Sequence, residues 1–77
     1  MTIEEAQKAI IDYLLKGYKQ SGQNPWVECG SLEGKLAIPK EIYGKALKNF
    51  MDGSQLDIEF SLSGPVNVMR LGKSHVS

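Results

Sequence analysis

The hydrophobic period changes once along this chain, at Gly53, and that change limits what it can fold into. Before it, Ile42, Ala46, Leu47, Phe50 and Met51 recur at three- and four-residue spacing, which gathers them on one side of a 3.6-period helix. Lys40, Glu41, Gly44, Lys45 and Lys48 fall on the other side. Pro39 suits the first turn of this helix, where its missing N–H costs nothing, and Gly53 is expected to supply a left-handed stop. After Ser54 the period is two: Leu56, Ile58, Phe60 and Leu62 alternate with Asp57, Glu59 and Ser61, the pattern of a half-buried strand. Ser63-Gly64-Pro65 reads as a turn and Val66 to Leu71 as the return strand, with apolar side chains on both faces. A helix stripe and a hairpin face that share one core define an α+β domain.

The first half supplies the layers that cover this unit. Thr2 followed three residues later by Glu5 has capping-box spacing. Ile3, Ala6, Ile10, Tyr13, Leu14 and Tyr18 form a stripe that Ile11 and Leu15 widen. The first helix is therefore expected over about residues 3–20, ended by Ser21-Gly22-Gln23-Asn24-Pro25. Pro25 to Gly30 leaves room for a short strand, in which Trp26 is expected to close the core beneath helix 1. Ser31 is placed to cap a short second helix, Leu32 to Ala37, with Leu32 and Leu36 on one face. Gly34 weakens that helix by about 1 kcal/mol relative to alanine. Residues 71–77 read as a flexible tail of a single domain spanning residues 1–77.

Composition narrows the function. Nothing approaches the ~20 consecutive apolar residues that span a bilayer, and no signal-peptide pattern opens the chain, so a cytoplasmic protein is expected. Cys29 is the one cysteine and His75 the one histidine. No internal disulfide or cysteine-based zinc site follows, and nothing orients Cys29 and His75 as a nucleophile pair. Carboxylate pairs, phosphate-cradling glycine loops and small-molecule sites are not visible either, so neither an enzyme nor a cofactor is expected. The formal net charge is zero, yet residues 35–48 hold four lysines and one acid. The basic character sits on the third helix and its approach. A solvated helix face is the plain alternative.

The stretch from Ser31 to Phe60 carries a resemblance. A short helix ends in Leu36-Ala37, Ile38 stands at the turn, and a second helix ends in Ala46-Leu47, Phe50-Met51 and Gly53 before a strand. This order is similar to that of the winged-helix family of helix-turn-helix DNA-binding domains, over nearly the whole chain. The resemblance implies the order α1-β1-α2-α3-β2-β3 with a C-terminal hairpin wing. It implies Ala37, Ile38, Ala46, Leu47, Phe50 and Leu56 as core positions. It also implies a regulator of transcription whose third helix enters the major groove of double-stranded DNA. By position, Lys40, Glu41, Tyr43, Gly44, Lys45 and Lys48 would make the helix contacts, and Ser63, Gly64 and Arg70 would belong to the wing. The wing tip lacks a basic residue, and Asp57 and Glu59 make the hairpin acidic. A lone monomer would then bind weakly, and a homodimer would double the phosphate contacts.

Two alternatives stay open. Gly34 to Ile42 resembles the signature of AbrB-like swapped-hairpin regulators and antitoxins, as does Gly53 to Glu59. That resemblance implies Leu36 and Ile38 on a strand. The neutral charge and acidic hairpin also suit a winged helix that binds a protein partner through Met69 and Leu71 rather than DNA.

Overall fold

The computed structural model describes residues 1–76 and consists of three helices and a three-stranded antiparallel sheet. The elements are α1 (Ile3–Ser21), β1 (Val27–Glu28), α2 (Ser31–Lys35), α3 (Lys40–Asp52), β2 (Ile58–Ser63) and β3 (Val66–Leu71). This is the expected α+β order. The capping box forms: the Thr2 hydroxyl accepts from the Glu5 N–H at 3.1 Å, and the Glu5 carboxylate accepts from the Thr2 N–H at 2.8 Å. Gly22 closes α1 in the left-handed conformation and its N–H reaches the Tyr18 carbonyl. Ala6 and Ile10 are the residues of α1 that are fully enclosed, with Ile3, Ile11, Leu14, Leu15 and Tyr18 packed around them. Tyr13 lies at the outer margin, exposed.

Helix α2 is shorter than its sequence suggests. It stops at Lys35, and the chain turns through Ala37 at φ 51°. The Ala37 N–H bonds to the Gly34 carbonyl, and the Ile38 N–H bonds back to Glu33. That pair of bonds is a Schellman ending, with alanine where glycine is usual. Ser31 does not cap. Gly30 holds that position, and the Ser31 hydroxyl donates instead to the Glu28 carbonyl at 2.8 Å. Pro39 sits one residue outside α3 as its N-cap. Gly53 ends α3 in an extended conformation rather than a left-handed one; the left-handed residue of that connection is Gln55, at φ 58°. Leu36 and Ile38 lie at the helix end and in the turn. The strand that the swapped-hairpin resemblance requires there is absent.

The sheet runs β1-β3-β2. The hairpin pairs Ile58 with Leu71, Phe60 with Met69 and Ser63 with Val66. Gly64 and Pro65 make the two-residue loop, Gly64 at φ 63°, which matches the twist of the flanking strands. On the other side Val27 pairs with Met69. Two residues further the same register sets Pro25, which has no N–H, opposite Leu71. The Asn24 side chain fills that gap. Its Nδ2 donates to the Leu71 carbonyl at 2.9 Å and its Oδ1 accepts the Leu71 N–H at 3.1 Å.

Alternate residues of the sheet (Ile58, Phe60, Met69, Leu71 and Val27) join Ile10, Leu32, Ile38, Tyr43, Ala46 and Phe50 in one core between sheet and helices. Met69 and Leu71 are wholly enclosed there, so they do not form the partner surface considered from sequence. Of the core positions that the winged-helix resemblance implies, Ile38, Ala46 and Phe50 are buried and Leu47 half-buried. Ala37 is exposed, and so are Leu56 and Met51, because the chain turns away from the helices between Gly53 and Asp57.

The segment after β3 is tied down. The Gly72 N–H bonds to the Asp57 carbonyl, and the Ser74 N–H and hydroxyl both reach the Leu56 carbonyl, at 3.0 and 2.7 Å. His75 meets the Asp57 carboxylate at 3.2 Å, and Val76 packs on the core. The tail expected over residues 71–77 is thus docked through Val76; Ser77 lies outside the described residues.

Candidate nucleic-acid interface

Helix α3 is positioned by its inner face. Tyr43, Ala46 and Phe50, spaced by three and four, are buried, and Ile42 and Leu47 are half-buried beside them. The opposite side then carries Lys40, Glu41, Gly44, Lys45 and Lys48, all exposed. A Cβ added at Gly44 would meet nothing within 4 Å, so the glycine leaves a shallow place between the lysine stems. Among the described residues, the ion pairs are Lys8–Asp12, Arg70–Glu59 and His75–Asp57. The three α3 lysines belong to none of them. Glu41 precedes Lys45 by four residues, yet the two are not closed into a pair.

Two residues of the expected set are used elsewhere. Tyr43 points inward and only 3% of it is exposed. Its hydroxyl donates to the Cys29 carbonyl. Burial pushes the Tyr43 phenol well above its ordinary value, and the neighbouring Cys29 and Glu33 charges push the same way. It is a core residue that joins α3 to the end of β1, not a base contact. Arg70 lies near the base of β3, away from the Gly64 tip. Its Nε reaches the Glu59 carboxylate at 3.1 Å and its guanidinium stacks 4.2 Å from the centre of the Trp26 ring. It is held on the outer face of the sheet. Ser63 and Gly64 are exposed at the hairpin tip, as expected.

Trp26 does not close the core. It is 41% exposed and lies under Arg70, so the outer face carries a row of Trp26, Arg70 and Glu59 that the sequence reading did not assemble. The signal was present, since Glu59 and Arg70 both occupy off-core positions of the two-residue period. Cys29 is buried, which raises its thiol pKa, and its carbonyl holds Tyr43, whereas His75 bonds to Asp57. These two have separate neighbours. Among the described residues no group of three or more His, Cys, Asp and Glu side chains is placed to hold a metal ion, and no helix is long and apolar enough to cross a membrane.

No protein-family model, curated protein or solved structure matches this chain. The reading of its function therefore rests on the geometry and charge described above.

Proposed function

We propose that this chain is a winged-helix DNA-binding domain that regulates transcription. Helix α3 lies in the major groove, Lys40, Lys45 and Lys48 contact phosphates, and Glu41 and the open backbone at Gly44 face the base edges. The observation that carries the reading is the unpaired lysine face around Gly44, on a helix whose opposite face is locked into the core. Lysines already paired with carboxylates would have to break those pairs to meet a phosphate; among the described residues these have none to break. The four-residue connection between α2 and α3 and the β1-β3-β2 sheet support the same reading. The wing contributes Ser63 and Gly64 at its tip but no cation, so α3 supplies most of the electrostatic attraction.

The test is charge reversal. Lys45→Glu with Lys48→Glu should leave the fold intact, because both side chains are exposed, and should abolish measurable binding to duplex DNA at low salt. Unchanged DNA affinity in the folded double variant would sink the assignment. A second reading, docking to a protein, is favoured by one observation. Met51 and Leu62 are 40% and 70% exposed and line one depression with Phe60 and Asn67. In that case the variant would bind as the parent does, and Leu62→Asp would lose the partner.

A further inference from the structure

Resting on the reading of α3 as the element in the major groove, we infer that Glu41 selects a cytosine. Its carboxylate accepts the exocyclic N4 amino group of one C·G pair, and a site without that base is bound less tightly. α3 presents one line of charge outward. With 3.6 residues per turn, Glu41 lies about 140–200° around the helix from Tyr43, Ala46 and Phe50, the residues of α3 that are buried. Lys45 and Lys48 follow it at spacings of four and three, and both are exposed. Any duplex that meets Lys45 and Lys48 therefore meets Glu41 as well.

An acid in that place needs a reason. Among the described residues it closes no ion pair, not even with Lys45 one turn on. It builds no capping box either. Glu5 does so on α1 with the Thr2 N–H, but the residue before α3 is Pro39, which has no N–H to offer. Beside a phosphate a carboxylate is repelled. At a base edge it can only accept. In the major groove guanine presents N7 and O6 and thymine O4, all acceptors, and adenine sets its N7 acceptor beside the N6 amino group. Cytosine presents the N4 amino group with no acceptor of its own, so it is the base that a lone carboxylate meets without repulsion. Residues at the start of a recognition helix are the ones that reach base edges, and Glu41 lies in the first turn of α3. Asp52, the other acid of α3, closes the helix at its far end, about 16 Å further along the axis.

The test is enrichment of a randomised duplex library by the full chain at low salt, with the bound DNA sequenced, for the parent, Glu41→Gln and Glu41→Ala. Glu41 is exposed, so both variants should keep the far-ultraviolet circular dichroism spectrum of the parent. The parent should favour cytosine at one position by about fivefold or more over the other bases. Glu41→Gln adds a donor and should turn that position to adenine, whose N6 and N7 an amide matches. Glu41→Ala should lose the preference there and bind mixed-sequence DNA at least as tightly as the parent, since a repulsive charge is gone. An acid that serves only the dipole of α3 would leave the same base preference in all three proteins; that result overturns the inference while keeping α3 on DNA. A parent that retains no DNA at all overturns the reading of α3, and the inference with it.

Discussion

Tyr43→Phe is the sharpest single perturbation of this fold. The substitution keeps the ring in the core and removes one oxygen, so no cavity forms. What it loses is the donor to the Cys29 carbonyl, in a place where only 3% of Tyr43 meets solvent. The Cys29 N–H is bonded to Asn67 across the sheet, so β1 cannot swing outward to hydrate the orphaned carbonyl. An ordinary hydrogen bond contributes about 0.5–1.5 kcal/mol net, and a stranded buried acceptor costs about 1–3 kcal/mol. The expected loss is about 1–2 kcal/mol, a sizeable part of the ~4–11 kcal/mol expected for a domain this small. Urea unfolding followed by circular dichroism should show a lower midpoint with an unchanged slope, and the melting temperature should fall by about 4–8 °C per kcal/mol. Alkaline titration adds a sign. The phenol is held neutral in the fold, so its contribution is complete below about pH 10, the ordinary tyrosine value, and fades as the pH rises beyond it. Tyr43→Phe should lack that part of the alkaline decline. Unchanged stability together with altered DNA affinity would refute the argument, because Tyr43 would then face outward with the lysines.

The remaining expectations concern the backbone. A Cβ at Gly72 would lie 2.1 Å from the Leu56 carbonyl oxygen; Gly72→Ala should cost about 3 kcal/mol or more, read as a loss of folded protein in the same urea titration. Ala37→Gly should stabilise by about 0.5–1 kcal/mol, since relief of a left-handed alanine outweighs the added freedom of the unfolded chain; a lower urea midpoint would contradict the Schellman ending. Asn24→Ala strands both backbone groups of Leu71 at the Pro25 gap and should cost about 1–3 kcal/mol, with faster amide exchange at Leu71 as the local signature.

What the sequence reveals and what it hides divide along physical lines. The change of period at Gly53, the Thr2–Glu5 box and the Gly64-Pro65 turn are local, and each forms as the sequence implies. The faces of α3 are legible except at Tyr43, which is buried, and Met51, which is exposed. Positions 43, 46 and 50 make as good a buried stripe as 42, 46 and 50, and the pattern alone does not say how wide the inner face is. Trp26, Met51, Leu56 and Leu62 read as core because they are apolar. Trp26 lies on the outer face of the sheet, where no helix packs, Met51 lies at the margin of α3 beyond its buried face, and Leu56 and Leu62 lie in the α3–β2 connection and near the hairpin tip, beyond the reach of the helices. The docked tail was invisible for the opposite reason. Gly72, Ser74 and His75 are held by backbone carbonyls and one carboxylate, interactions that leave no periodic trace. The same holds for Asn24, whose amide stands in for a strand residue that Pro25 cannot provide. Of the candidate site, the exposed lysine face was readable from spacing alone, whereas the capture of Arg70 by Trp26 and Glu59 required the strand register.

The most direct measurement is a titration of a fluorescently labelled, mixed-sequence DNA duplex with the purified chain, followed by anisotropy at two salt concentrations. Binding at low salt should weaken with a log–log slope of about −2 to −3, as expected for two or three lysine–phosphate contacts per domain, and should be lost in Lys45→Glu with Lys48→Glu. Absence of binding at low salt, or a slope near zero, would contradict the proposed function.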